Sequence, residues 1–128
     1  MAESQVVQIL RDDDACPELP IVEGKGNARA VVWPGVGGHM RSMHRISLHP
    51  RSATIRLQHP MEAVYYLMSG TASATDPDSG ESASLVSGSM ALIDPGTPYV
   101  FVAGGEGAEL VGGPCPADPA MYHHIEES

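Results

Sequence analysis

The residue types that could move a proton or hold a metal gather in the middle of the chain: His39, His44, His49, His59 and Glu62, with Tyr99 further on. Imidazole titrates near pH 6.5, so small changes in surroundings decide whether a histidine is charged. A partly buried carboxyl is pushed toward neutrality, while a phenol with a reference pKa of about 10 both donates and accepts hydrogen bonds. Set inside an apolar enclosure, such groups can pass a proton to or from a small molecule, a contribution of about 100- to 10,000-fold in rate. Histidine is also a ligand for divalent metals, and His59 and His44 are the two candidates for that role.

Which of these residues share one space depends on the elements that carry them. Fourteen glycines and eleven prolines are spread along the 128 residues and cut the chain into short segments. The segments 6–10, 28–33, 43–48, 52–59, 63–70, 71–76, 82–87, 89–94, 99–104 and 108–113 are rich in β-branched or aromatic residues and end at Gly, Pro, Asp or Ser. They predict an all-β chain, either a closed barrel or a two-sheet jelly roll. A short helix is the reading for the C-terminal PADPAMYHHIEE, and DPDSG at 76–80 reads as a hairpin turn.

Alternate residues of a strand share a face. His44 therefore lies with Ile46 and Leu48, two aliphatics that mark the face as interior; Tyr99 shares a face with Phe101 and Ala103, and if His59 points into the barrel then Leu57 and Ile55 do too. Parity puts Arg45 and Arg56 outward, where ion pairs are expected. His49 reads as a turn histidine, and His123 and His124 as part of a polar tail.

The formal charge of −9, from 16 acidic and 7 basic residues, argues against nucleic acid or an anionic membrane as a partner. The N-terminal residues lack the pattern of a signal peptide, and no segment has the roughly 20 apolar residues that span a bilayer. The expectation is one cytoplasmic domain over residues 1–128. Cys16 and Cys115 form no CxxC and are read as reduced thiols.

Two segments, LQHPMEAVYYLMSG (57–70) and GSMALIDPGTPYVF (88–101), resemble the two motifs of the cupin superfamily. The resemblance covers about residues 43–113 and implies a cupin-type jelly-roll β-barrel with its site inside. It also implies four metal-ligand positions, which fall on Leu57, His59, Ala63 and Tyr99, so only His59 keeps the family's residue. If the barrel closes as in that family, the Tyr99 hydroxyl lies near His59.

The resulting expectation is a small-molecule enzyme with His59, Tyr99 and Glu62 as catalytic residues and His44, Tyr65, Met90 and Phe101 against the substrate. Leu67 and Leu92 complete the apolar walls. Only two residues separate Glu62 from His59, fewer than the three or four of the motif, so its entry into the barrel needs a bulged loop. The chemistry expected is proton transfer, as in an isomerase, cyclase or lyase, with no cofactor. The alternatives are a divalent metal (Fe, Zn, Ni or Mn) on a non-standard ligand set, as in a dioxygenase, and a non-catalytic binder. The resemblance further implies a homodimer.

Overall fold

The computed structural model describes residues 7–126, and what it describes is a jelly roll. Its strands are β1 (Val22–Glu23), β2 (Gly26–Val32), β3 (Met43–Leu48), β4 (Ala53–Thr54), β5 (Glu62–Thr75), β6 (Ser82–Val86), β7 (Met90–Ile93) and β8 (Val100–Cys115). Every pairing is antiparallel. The spine is the ribbon of β5 and β8, in register from Glu62 opposite Cys115 to Thr75 opposite Val100. β6 and β7 flank β5, while β3 and β4 flank β8.

Segments read as separate strands are fused here. Residues 63–70 and 71–76 become the single strand β5, and 99–104 and 108–113 become β8. Bulges explain why the two halves look unrelated in sequence. An extra residue in one strand moves the side chains beyond it to the other face. In β5 the buried positions are Ala63, Tyr65 and Leu67 before the irregularities around Gly70, and Ala72 after them. Gly70 has φ +84°, and a Cβ there would collide with the carbonyl of Gly107, so the ribbon can bend at this point only with glycine.

The interior faces expected for β3 and for the start of β8 are interior. His44, Ile46 and Leu48 are buried on β3, and Phe101 and Ala103 on β8, with Tyr99 just ahead of them. Together with Tyr65, Leu67 and Leu110 the apolar members belong to one core. Arg45 and Arg56 point outward as expected: Arg45 pairs with Glu109 at 2.5 Å and Arg56 with Asp78 at 2.6 Å. The 76–80 hairpin closes as read, the Asp76 carboxylate accepting from the amides of Asp78 and Ser79.

Three expectations are corrected. Residues 7–10 form no strand, and residue 6 lies outside the described residues. Only Ala53–Thr54 of the segment 52–59 is strand, with an isolated bridge at Leu57, so Ile55 turns outward and is 39% exposed. The C-terminal segment is not a tail. It makes a 3-10 turn at Pro119–Tyr122 and one helical turn at His123–Glu126, with Ala117, Asp118 and Tyr122 buried. His124 Nε2 lies 2.9 Å from the Glu18 carbonyl oxygen. Cys16 and Cys115 are both free thiols.

Candidate active site

The bridge between Leu57 and Tyr99 brings the two motif segments together, through Leu57 N–H to Tyr99 O at 2.9 Å and Tyr99 N–H to Leu57 O at 2.8 Å. Two residues beyond Leu57, the His59 carbonyl accepts from Gly96 N–H at 2.7 Å, which ties the histidine backbone to the PGT turn. Neither His59 nor Tyr99 lies in a regular strand. They are set by these cross-chain bonds, and both side chains are buried.

Around them runs a chain of hydrogen bonds. His59 Nδ1 is 2.7 Å from Asp118 Oδ2, His59 Nε2 is 2.8 Å from the Tyr99 hydroxyl, and that hydroxyl is 2.7 Å from the Tyr65 hydroxyl. Donor directions follow from chemistry. A carboxylate only accepts, so Nδ1 carries its hydrogen and donates to Asp118. With a neutral ring, Nε2 accepts from Tyr99 O–H, and the Tyr99 oxygen in turn accepts from Tyr65 O–H. Asp118 is itself fixed as the cap of the 3-10 turn, its Oδ1 accepting from Ala120 N–H at 3.1 Å.

Burial holds both phenols in the protonated form. The Tyr99 hydroxyl is pushed far above the ordinary phenol range by burial, then by Tyr65 and the Asp118 charge. Burial raises Tyr65 as well, partly offset by its bond to Tyr99. An isolated Tyr99 anion is therefore costly, but the relay has a route around that cost. If Tyr99 gives its proton to His59, the imidazolium so formed lies between the phenolate and the Asp118 carboxylate, and the net charge of the triad does not change.

His44 forms a second buried pair. Its Nε2 is 2.6 Å from the Tyr122 hydroxyl, whose ring is packed on Trp33 with centroids 5.3 Å apart. Burial, with His59 nearby, lowers the His44 pKa to about 4, and burial raises Tyr122 to about 12. Nδ1 of His44 is buried with no hydrogen-bond partner among the described residues. It lies over Gly113, where an added Cβ would sit 3.1 Å from Nδ1 and 2.5 Å from Ser42 Oγ, so a larger residue would have to push the Ser42 side chain aside.

Of the site residues expected from sequence, His59, Tyr99, Tyr65, His44 and Phe101 come together in the interior, and the Phe101 ring packs edge-on against Tyr65 at 4.9 Å. Glu62 and Met90 do not. Glu62 is the neighbour of the inward Ala63 on β5, and alternation turns it to the outer face, where it is exposed. Met90 is 72% exposed and Leu92 64%, because the inward Ile93 fixes the parity of β7. Asp118 and Tyr122 join the site without having been expected there. The one signal in the sequence was an Asp-Pro step followed by an aromatic in the C-terminal segment.

Tyr99, though buried, also lines an open groove of about 680 Å³, shared with Thr75, Ser82, Ile93, Asp94 and Pro98. The groove thus leads to the residue that links His59 to Tyr65.

No family model matches the chain, and no curated protein does so. Solved structures match over most of its length. The polyketide cyclase RemF from Streptomyces resistomycificus superposes with a TM-score of 0.66 at 21% identity, covering 87% of this chain and 80% of that one. A predicted oxalate decarboxylase from Thermotoga maritima gives 0.66 at 16% identity, over 84% and 99%. KdgF from Halomonas sp. gives 0.62 at 14% identity, over 89% and 91%. The fold is that of the cupins.

The metal that the resemblance implies does not fit the residues present. Leu57 and Ala63 offer no donor atom, the Tyr99 phenol is held protonated, and both ring nitrogens of His59 are engaged by Asp118 and Tyr99. Among the described residues, no three His, Cys, Asp or Glu side chains are grouped to hold an ion. Among the same residues, no helix is long and apolar enough to cross a membrane.

Proposed function

We propose that this cupin-fold chain is a small-molecule enzyme of the isomerase, cyclase or lyase kind, which moves a proton through Tyr99 and His59 without a resident metal. The observation that carries the reading is the buried chain Tyr65–Tyr99–His59–Asp118, with bonds of 2.7, 2.8 and 2.7 Å. Tyr99 is the group that meets the substrate. As an acid it donates to a carbonyl or leaving oxygen while Tyr65 O–H supports the developing phenolate. As a base it passes its own proton to His59 and takes one from carbon.

Asp118 holds the His59 tautomer and balances the imidazolium, a division of labour familiar from other histidine–carboxylate pairs. Ring closure, double-bond migration and elimination all need this kind of transfer. The structural likeness to RemF, a polyketide cyclase, is in keeping with the first of them.

A substrate-independent assay tests the reading. Incubation with a panel of small neutral ketones in D₂O should give enzyme-catalysed deuterium exchange beside the carbonyl, lowered about 100-fold or more by Tyr99→Phe and by His59→Gln. Circular dichroism should show both variants folded. Wild-type exchange rates in the two variants, or no exchange by the unaltered protein across the panel, would remove the assignment. The homodimer is also proposed, supported by the outward-facing Tyr66, Met90 and Leu92 on paired β5 and β7. Light scattering that returns the monomer mass would overturn it.

A further inference from the structure

The groove that reaches Tyr99 has an electrostatic character of its own. Three acidic residues line it, Asp76, Glu81 and Asp94, and among the described residues no lysine, arginine or histidine does. The guanidinium of Arg56 is held bidentately by Asp78 through bonds of 2.6 and 3.1 Å, so it is not free to receive an anion. Thr75, Ser82 and Thr97 line it as well, together with Ile93, Pro98 and Tyr99, and the Thr75 and Ser82 hydroxyls are 3.0 Å apart. Carboxylates accept hydrogen bonds, apolar walls take a hydrophobic body, and a lining without cations leaves nothing to offset a negative ligand.

We propose that the molecule acted on at Tyr99 is uncharged, bears hydroxyl donors on an apolar body, and enters by this groove, from which carboxylate-bearing molecules are turned away. The inference rests on the relay reading for its destination, because Tyr99 belongs to both the groove and the hydrogen-bond chain. It also separates the structural neighbours. A dianion such as oxalate, for which the Thermotoga decarboxylase is named, would meet three like charges here, whereas a neutral ring-forming precursor would not. Like charges a few ångströms apart in a largely aqueous groove accumulate to a penalty of about tenfold in affinity at low salt.

Binding of two probes with one ring system tests this without turnover, so the relay chemistry can fail while the groove stands, or the reverse. Amide NMR titrations would follow Ser82, Thr97 and Tyr99 as 2-naphthol or 2-naphthoate is added at low ionic strength. The expected result is binding of 2-naphthol about tenfold tighter than 2-naphthoate, with the gap shrinking to about threefold or less in Asp94→Asn/Glu81→Gln. Equal or tighter binding of naphthoate, an unchanged gap in the double variant, or no perturbation by either probe would each overturn the proposal.

Discussion

Two histidines stand inside this barrel, each bonded through Nε2 to a tyrosine hydroxyl, at 2.8 Å for His59 and 2.6 Å for His44. They differ at the other nitrogen. His59 Nδ1 meets the Asp118 carboxylate, whereas His44 Nδ1 meets no partner among the described residues. One imidazole has a counter-charge in place and can accept a proton during a reaction. The other, driven to a pKa of about 4 by burial and by His59, stays neutral at ordinary pH and serves as a fixed dipole. Environments that push two titratable groups apart divide their tasks, and here a single carboxylate makes most of the division.

Removing that carboxylate should give the largest effect. Asp118→Asn keeps the shape but deprives the imidazolium of its counter-charge and frees the ring to adopt the other tautomer. Deuterium exchange is expected to fall about 100-fold or more, well beyond the loss of one neutral hydrogen bond. A rate within about threefold of the unaltered protein would erase the distinction between the two histidines.

The His44 side is tested by acid. Its folded pKa lies below the unfolded value of 6.5, so the unfolded chain binds the extra proton first and stability falls as pH drops from about 6.5 toward about 4. That gap corresponds to about 3 kcal/mol at the acid end. Chemical denaturation across this range should show the loss, and His44→Gln should flatten it. An unchanged acid limb in the variant would place the titration elsewhere.

Tyr122→Phe should cost about 1–3 kcal/mol by leaving His44 Nε2 unpaired, with a smaller effect on exchange than Tyr99→Phe. A fall in rate as large as that of Tyr99→Phe would put both tyrosines in the chemistry. Glu62→Gln should change stability by under about 0.5 kcal/mol and leave exchange unaltered, since the side chain is on the outer face. Lost activity there would require Glu62 to reach the site by a route this geometry does not offer.

How much of this was legible follows from where each residue sits. His44 shares its face with Ile46 and Leu48 while Arg45 and Ser47 take the other, and that period of two reveals its side of the strand, whereas Tyr65 lies in an apolar run, AVYYLM, without such a signal. Met90 and Leu92 defeat the same rule because MALI is apolar at every position, so its pattern contains no inside or outside. Asp118 and Tyr122 contact residues 59 and 78 positions away, in a segment without strand or helix periodicity. No local pattern encodes a contact of that kind. The PGT turn and Gly70 were readable because a backbone at φ +80° (Gly96) and +84° (Gly70) leaves few choices of residue.

The β5–β8 ribbon has a kinetic consequence. Glu62 must find Cys115, so this end of the ribbon closes only after an excursion of some fifty residues, and the flanking strands then pair onto it. Ribbons of such sequence separation are slow to nucleate, on the order of milliseconds to seconds for all-β chains. Until they close, the apolar strands that bear Tyr65 and Phe101 are open to pairing with other molecules. Refolding yield should therefore fall steeply with protein concentration, even where the finished barrel is stable.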